Sequence, residues 1–106
     1  MLSTDDDEGI VLRRRANIRV GKGRTVGTLF VTTRRLSFRP LTKARQVDIH
    51  FDDIASIATT GLLFKKVRVC TDEATYTLFM KGAAHVVSLV RALMEVPTAV
   101  QPETRF

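Results

Sequence analysis

Basic side chains are concentrated around the first predicted turn of this 106-residue chain, and their types suit the binding of anions. Arg13, Arg15 and Arg19 alternate on one face of a predicted strand, and Lys22 and Arg24 flank the glycines of the turn. Guanidinium groups and turn amides bind phosphate oxygens well, and each basic residue near an anionic leaflet contributes about 1 kcal/mol. These five residues are the first candidates for a site that binds anionic headgroups or acidic peptides.

A second basic cluster surrounds the third predicted strand. Its members are Arg34, Arg35, Arg39, Lys43 and Arg45, of which Arg34 lies in the turn before the strand and Arg35 begins the strand. We add Arg34 and Arg35 to the candidate site. The alternative for both clusters is a solvated strand face without a specific ligand, because most charged residues lie in water.

The run Leu62-Leu63-Phe64 is followed by Lys65 and Lys66, which complete the candidate site. An exposed apolar loop beside two lysines could enter a headgroup layer. The alternative is that Leu63 or Phe64 begins a strand and packs in the core. We prefer this second interpretation, because large exposed apolar patches are uncommon.

Catalytic and metal-binding constellations are not predicted. No Ser or Cys nucleophile accompanies a recognisable base, and the glycines of the first turn precede a strand where a dinucleotide loop needs a helix. Asp48, His50 and Asp52 have a spacing that can present metal ligands, but a metal site needs a second element. We therefore predict a non-enzymatic protein with no metal and no cofactor.

Alternation of apolar and polar residues with a period of two predicts seven short strands. They fall at residues 15–20, 28–32, 35–39, 47–51, 54–60, 67–69 and 75–80. Short polar connections indicate an antiparallel meander, because parallel strands need long crossovers. The one helical pattern covers residues 83–96, and its apolar stripe consists of Ala83, Val86, Leu89, Val90 and Leu93.

These elements predict a mainly β domain with one C-terminal α-helix. A small all-β body fills its core best when the strands curl into two near-orthogonal sheets, with the helix closing one end. We assign residues 1–9 to a disordered acidic leader, residues 10–96 to the domain and residues 97–106 to a flexible tail or linker.

The segment Gly27-Thr28-Leu29-Phe30-Val31-Thr32-Thr33-Arg34-Arg35-Leu36-Ser37-Phe38 is similar to the second and third strands of the pleckstrin-homology (PH) superfamily, above all its GRAM branch. Val47-Asp48-Ile49 and Asp53-Ile54-Ala55-Ser56-Ile57 resemble the next two strands, so the resemblance covers about residues 10–96. It implies a PH-like, seven-stranded, two-sheet split barrel capped by the helix. It also implies a binding module whose first hairpin holds inositol phosphates, and Lys22-Gly23-Arg24 looks like a fragment of that motif.

The charge balance points to an anionic partner. The chain carries 17 Lys and Arg against 11 Asp and Glu, for a net charge of +6. Four of the acids form the Asp5-Asp6-Asp7-Glu8 run, so residues 9–106 hold 17 basic and seven acidic residues, or +10. The single cysteine, Cys70, requires no oxidising compartment. We expect a cytoplasmic protein, peripheral at a membrane, with the nucleus as an alternative.

Two partners follow from the charge balance and the resemblance: an anionic phospholipid surface, with phosphoinositides first, or an acidic protein segment. The second option resembles the N-terminal PH-like domains of a transcription and repair factor subunit and of an endosomal sorting subunit, and it includes ubiquitin-like partners. Nucleic acid ranks last, because Phe30 and Tyr76 are the only rings expected to face outward and no helix is free to read bases. We expect the chain to be the N-terminal domain of a larger protein or complex.

Overall fold

The structure, a computed structural model, describes residues 8–95. Seven strands and one helix make up this part of the chain: β1 (Ile10–Val20), β2 (Gly23–Thr32), β3 (Arg35–Pro40), β4 (Val47–His50), β5 (Ile54–Thr60), β6 (Lys66–Thr71), β7 (Thr75–Phe79) and α1 (Ala83–Glu95). A 3-10 turn, Phe51–Asp53, joins β4 to β5. The predicted mainly β class and the order of elements are confirmed, and β1 and β2 begin several residues earlier than predicted. Residues 1–7 of the leader and residues 96–106 lie outside the described residues.

All seven strands are antiparallel and hydrogen-bonded in the order β4-β3-β2-β1-β7-β6-β5. β1 is long enough to serve both halves of this sheet, because it pairs with β2 from Ile10 to Val20 and with β7 from Asn17 to Val20. The two predicted sheets are therefore the halves of one continuous sheet that share β1. β4 and β5 form its two free edges.

The core lies between the inner face of the sheet and α1. The alternation predicted for β1 is observed, with Ala16 and Ile18 buried between exposed or half-buried neighbours. α1 packs against β5 and β6 through Val86 and Val90, which are fully buried, and through Val87, which the predicted stripe did not include. Burying an aliphatic side chain of this size contributes about 1.5–3 kcal/mol, so the helix is held by its apolar face.

Gly27 is the point of closest approach between β2 and β3. A Cβ atom at this position would lie 2.3 Å from the carbonyl oxygen of Arg39, 2.7 Å from Cζ of Phe38 and 2.8 Å from Cα of Pro40. Gly27 pairs with Pro40 in the sheet. Glycine at this position therefore lets the bent strand β2 pass close to β3.

The start of β1 is attached to the turn between β2 and β3. Glu8 Oε2 accepts hydrogen bonds from Arg35 Nε at 2.8 Å and from Thr32 Oγ1 at 2.7 Å. The backbone N–H of Thr33 donates to the carbonyl oxygen of Gly9 at 3.0 Å. Two residues assigned to the leader thus contact the folded body.

A second contact holds α1 on the sheet. Arg91 Nη2 donates a hydrogen bond of 2.7 Å to the carbonyl oxygen of Ile57 in the edge strand β5. Because a charged donor shortens and strengthens such a bond, this contact complements the apolar packing of the helix.

Candidate binding surface

Most of the predicted basic residues lie on the side of the sheet opposite the core, which we call the outer face. Alternation along the strands places on it Arg35, which pairs with Glu8 and Asp48, and seven further cations: Arg13, Arg15, Arg19, Arg24, Arg39, Lys66 and Arg68. Among residues 8–95, none of these seven forms an ion pair with a carboxylate. The outer face is therefore broad and strongly positive.

Three of the cations meet around one aromatic ring. Arg24 Cζ lies 3.7 Å from the centroid of the Phe79 ring, and Arg19 Cζ and Lys66 Nζ each lie 5.4 Å from it. We call these four residues the Phe79 cluster. Strand register assembles it, because Phe79 lies opposite Asn17 and Lys66 while Arg19 lies directly opposite Arg24.

Like charges that face each other across strands destabilise a sheet, and each cation–π contact offsets this by about 0.5–1 kcal/mol. An anion bound at the Phe79 cluster would relieve the remaining repulsion. The cluster thus has the electrostatics of a binding site whose ligand is negatively charged.

The loop between β5 and β6, residues 61–65, is the most apolar exposed segment of the described chain. Leu62, Leu63 and Phe64 are 95%, 87% and 82% exposed. The preferred prediction, that Leu63 or Phe64 packs in the core, is wrong: β6 begins at Lys66, and Gly61, with φ of +92°, turns the chain out of β5. We call residues 61–65 the docking loop.

The docking loop and the Phe79 cluster are adjacent. The last residue pair below the loop joins Thr60 to Lys66, and Lys66 is itself a member of the cluster. Lys65 is exposed within the loop. The side chains of Leu62, Leu63 and Phe64 therefore project beside four cations, which are Lys65 of the loop, Lys66 of β6, Arg19 of β1 and Arg24 of β2.

Among residues 8–95, no helix has the length and apolarity that a membrane crossing requires.

The other predicted site residues lie away from the Phe79 cluster. Lys22 is exposed at the tip of the first hairpin, where Gly21 has φ of +74°. Arg34 and Arg35 lie at the opposite end of β2 from Arg24, and Arg35 binds the carboxylate of Glu8. The structure therefore separates the second basic turn from the Phe79 cluster, although both face solvent.

A cavity at one end of the sheet is lined mainly by carboxylates. It has a volume of about 310 Å³ and lies between the free edges β4 and β5 and the turn between β6 and β7. Its polar lining includes Asp48, Asp52, Asp53, Asp72, Glu73 and Tyr76. Carboxylates repel anionic headgroups, so this cavity is unsuited to an anionic ligand.

This cavity includes residues for which the sequence suggested a possible metal-ligand spacing or an outward-facing ring. Asp48 and Asp52 line it, but within residues 8–95 no group of three His, Cys, Asp or Glu side chains could hold a metal ion. Tyr76 was expected to face outward; instead it lines the cavity and packs against the core. Phe79 takes the outward position on β7.

Sequence reasoning missed Phe79, Arg39 and Arg68 as site residues. Phe79 could have been found, because Leu78 is buried and its neighbour on a strand must point to the opposite side. The clustering itself depends on which strands pair, since Phe79 meets Arg24 only through β1. The periodicity of one strand carries no such information.

Cys70 lies on β6 beside this surface and provides a chemical probe. The hydroxyl of Ser56 and then that of Thr75 lower the pKa of its thiol; burial opposes them with a smaller effect, and the charge of Arg68 lowers the pKa slightly further. Because the thiolate is the nucleophile, we expect the pH midpoint of iodoacetamide alkylation to be lower in the folded protein than in urea. Ser56→Ala should raise that midpoint. Equal midpoints in the folded and unfolded protein would contradict this assignment.

No protein-family model and no curated protein matches the sequence. Several solved structures match the fold. The C-terminal domain of an unknown protein from Leishmania infantum is 20% identical, with a TM-score of 0.73 over 84% of this chain and 86% of that chain. The Vps36 N-terminal PH domain is 14% identical, with a TM-score of 0.71 over 88% and 83% of the two chains. The N-terminal PH domain of human ARAP2 is 12% identical, with a TM-score of 0.61 over 99% and 94%.

Identities this low carry the fold and not the function. Two of the three neighbours are PH domains, and all three cover most of both chains. TM-scores of 0.61 to 0.73 over this coverage indicate a shared fold, which in residues 8–95 consists of seven antiparallel strands and one helix. The chain therefore has a pleckstrin-homology-like fold.

Proposed function

We propose that this chain is a non-catalytic, GRAM-type binding module that attaches peripherally to anionic phospholipid surfaces through the docking loop and the Phe79 cluster. The observation that carries the proposal is the position of Leu62, Leu63 and Phe64, exposed together beside Lys65 and the cluster. Apolar tips with neighbouring cations suit an interface where acyl chains lie directly below phosphates.

Insertion of the apolar side chains and attraction of the cations to an anionic leaflet both favour membrane binding. Full burial of a Leu or Phe side chain contributes about 1.5–3 kcal/mol, and a basic residue near an anionic leaflet adds about 1 kcal/mol. Insertion into the upper part of a leaflet buries the side chains only in part. The sum supports reversible attachment, as expected of a peripheral protein.

The charge distribution indicates how such attachment would discriminate among lipids. The cations lie on an open face, whereas the described cavity is lined by carboxylates. An open cationic face responds to charge density, because it does not surround a headgroup. We therefore expect the phosphoinositide preference implied by the family resemblance to be weak when total charge is matched.

Co-sedimentation with vesicles at moderate salt tests the proposal. The three vesicle types contain phosphatidylcholine alone, phosphatidylcholine with phosphatidylserine, and phosphatidylcholine with a phosphoinositide at the same total charge. We expect binding to both anionic types and little to the neutral one. Equal, negligible sedimentation with all three would overturn the membrane function, and strong binding to the phosphoinositide vesicles alone would overturn the charge-density mechanism.

An acidic or ubiquitin-like protein partner is the second candidate. One observation favours it: the turn between β2 and β3 binds a carboxylate, that of Glu8, through Arg35 Nε and Thr32 Oγ1. An acidic segment of a partner could use the same donors or the cations of the outer face. This candidate stays a prediction, and it is the expected alternative if the protein ignores all vesicles.

A further inference from the structure

We infer that the outer face also binds single-stranded nucleic acid, along β1 and between the rings of Phe30 and Phe79. This function goes beyond the proposed membrane attachment: it shares the Phe79 cluster with that attachment and extends across β1 to a second ring, Phe30. Its core is a second group of cations around a ring, centred on Phe30 and remote from the docking loop.

Phe30 lies on the outer face of β2 among arginines. It is opposite Arg13 of β1, and Arg39 Cζ lies 5.4 Å from the centroid of its ring. One register step away, Thr28 has Arg15 on one side and Arg39 on the other. Three exposed guanidinium groups thus surround a half-buried ring that does not pack against the core.

The two rings lie on opposite sides of β1. Phe30 is opposite Arg13, whereas Phe79 is opposite Asn17, four residues further along the strand. From Arg13 to Arg19 the strand extends over about 20 Å. Three of the four outward side chains along this length are arginines, at positions 13, 15 and 19. A cationic track with aromatic rings at its flanks is the arrangement that binds single strands of about four or more nucleotides.

Nucleic acid fits this face better than an acidic peptide does. Every base has a flat surface that can stack on a ring or a guanidinium plane, and carboxylates leave the rings unused. A duplex fits less well, because α1 packs on the core side of the sheet, away from the cations, and its one arginine, Arg91, donates to the carbonyl oxygen of Ile57. From the sequence alone nucleic acid ranks last, because only Phe30 and Tyr76 are expected to face outward and no helix is free to read bases. In the structure Phe79 takes the outward position instead of Tyr76, so Phe30 and Phe79 both lie on the charged face.

Fluorescence anisotropy with a labelled oligothymidylate tests the inference, with a polyglutamate peptide of equal charge as the comparison. We expect the oligonucleotide to bind more tightly than the peptide, with an affinity that falls as salt increases. Phe30→Leu keeps an apolar side chain and removes the ring, and it should weaken oligonucleotide binding roughly tenfold without altering peptide binding. The double variant Arg13→Gln, Arg15→Gln should reduce the salt slope by roughly 1.4.

Controls separate this function from membrane attachment. The variant Leu62→Ser, Leu63→Ser, Phe64→Ser changes the docking loop and should leave oligonucleotide binding unchanged, whereas Phe30→Leu should leave vesicle binding unchanged. Thermal unfolding verifies that each variant is folded. Equal binding of oligonucleotide and peptide, or no effect of Phe30→Leu in a folded protein, would overturn the inference, whatever the vesicle experiment shows.

Discussion

Replacement of Leu62, Leu63 and Phe64 together by serine is expected to lower the affinity for anionic vesicles roughly 100-fold. These side chains contact water in the free protein, so the replacement removes little from the folded state. In the bound state each would lose about 1 kcal/mol of apolar transfer energy, and three such losses amount to two orders of magnitude. Vesicle titration gives the affinity, and a thermal melt should show an unchanged melting temperature.

Leu41 provides the matched control for this experiment. It is a leucine that is 60% exposed, but it lies in the connection between β3 and β4 and outside the docking loop. Leu41→Ser should bind vesicles as the unmodified protein does. If the triple variant retains full vesicle affinity, or if Leu41→Ser weakens binding equally, the docking loop does not mediate attachment.

The largest loss of stability is expected from Gly27→Ala, about 3 kcal/mol, at the upper end of the range for overpacking. The added methyl group would approach the carbonyl oxygen of Arg39 to 2.3 Å and Cα of Pro40 to 2.8 Å. Both are backbone atoms, so a change of rotamer cannot relieve the contact and β3 must move away from β2. Urea unfolding monitored by circular dichroism measures the change in the free energy of unfolding.

Gly23→Ala is the control for the glycine substitution. It lies on the same strand, but a Cβ atom there would meet nothing within 4 Å. We expect its free energy of unfolding to stay close to that of the unmodified protein. Similar unfolding midpoints for Gly27→Ala and Gly23→Ala would show that β3 adjusts without strain, contrary to the close approach of β2 and β3 at Gly27.

The architecture could be predicted from the sequence because it depends on local patterns. Buried Ala16 and Ile18 between polar neighbours indicate a strand, and the spacing of Ala83, Val86 and Val90 indicates one helix that packs on one side. Short polar connections then leave only an antiparallel order. The continuity of the sheet through β1 was not visible, since it depends on pairing with both β2 and β7.

The candidate surface was predicted only in part, for two physical reasons. A short apolar run such as Leu62-Leu63-Phe64 is compatible with a buried strand or an exposed loop tip, and the positive φ of Gly61 decides between them. The Phe79 cluster and the acidic cavity both join residues that are distant in sequence. Asp52 and Asp72, for example, line one cavity because the chain folds back between β4 and β7.

The bond between Arg91 and the carbonyl oxygen of Ile57 also affects how copies of this protein meet. An open sheet can recruit a strand from another molecule along either unpaired border, which leads to aggregation. On β5, the guanidinium of Arg91 already occupies one of the backbone acceptors that an incoming strand would need. On the other border, β4 is only four residues long and ends in a 3-10 turn. The short β4 and the occupied acceptor on β5 each remove part of the backbone that a strand from another molecule could pair with.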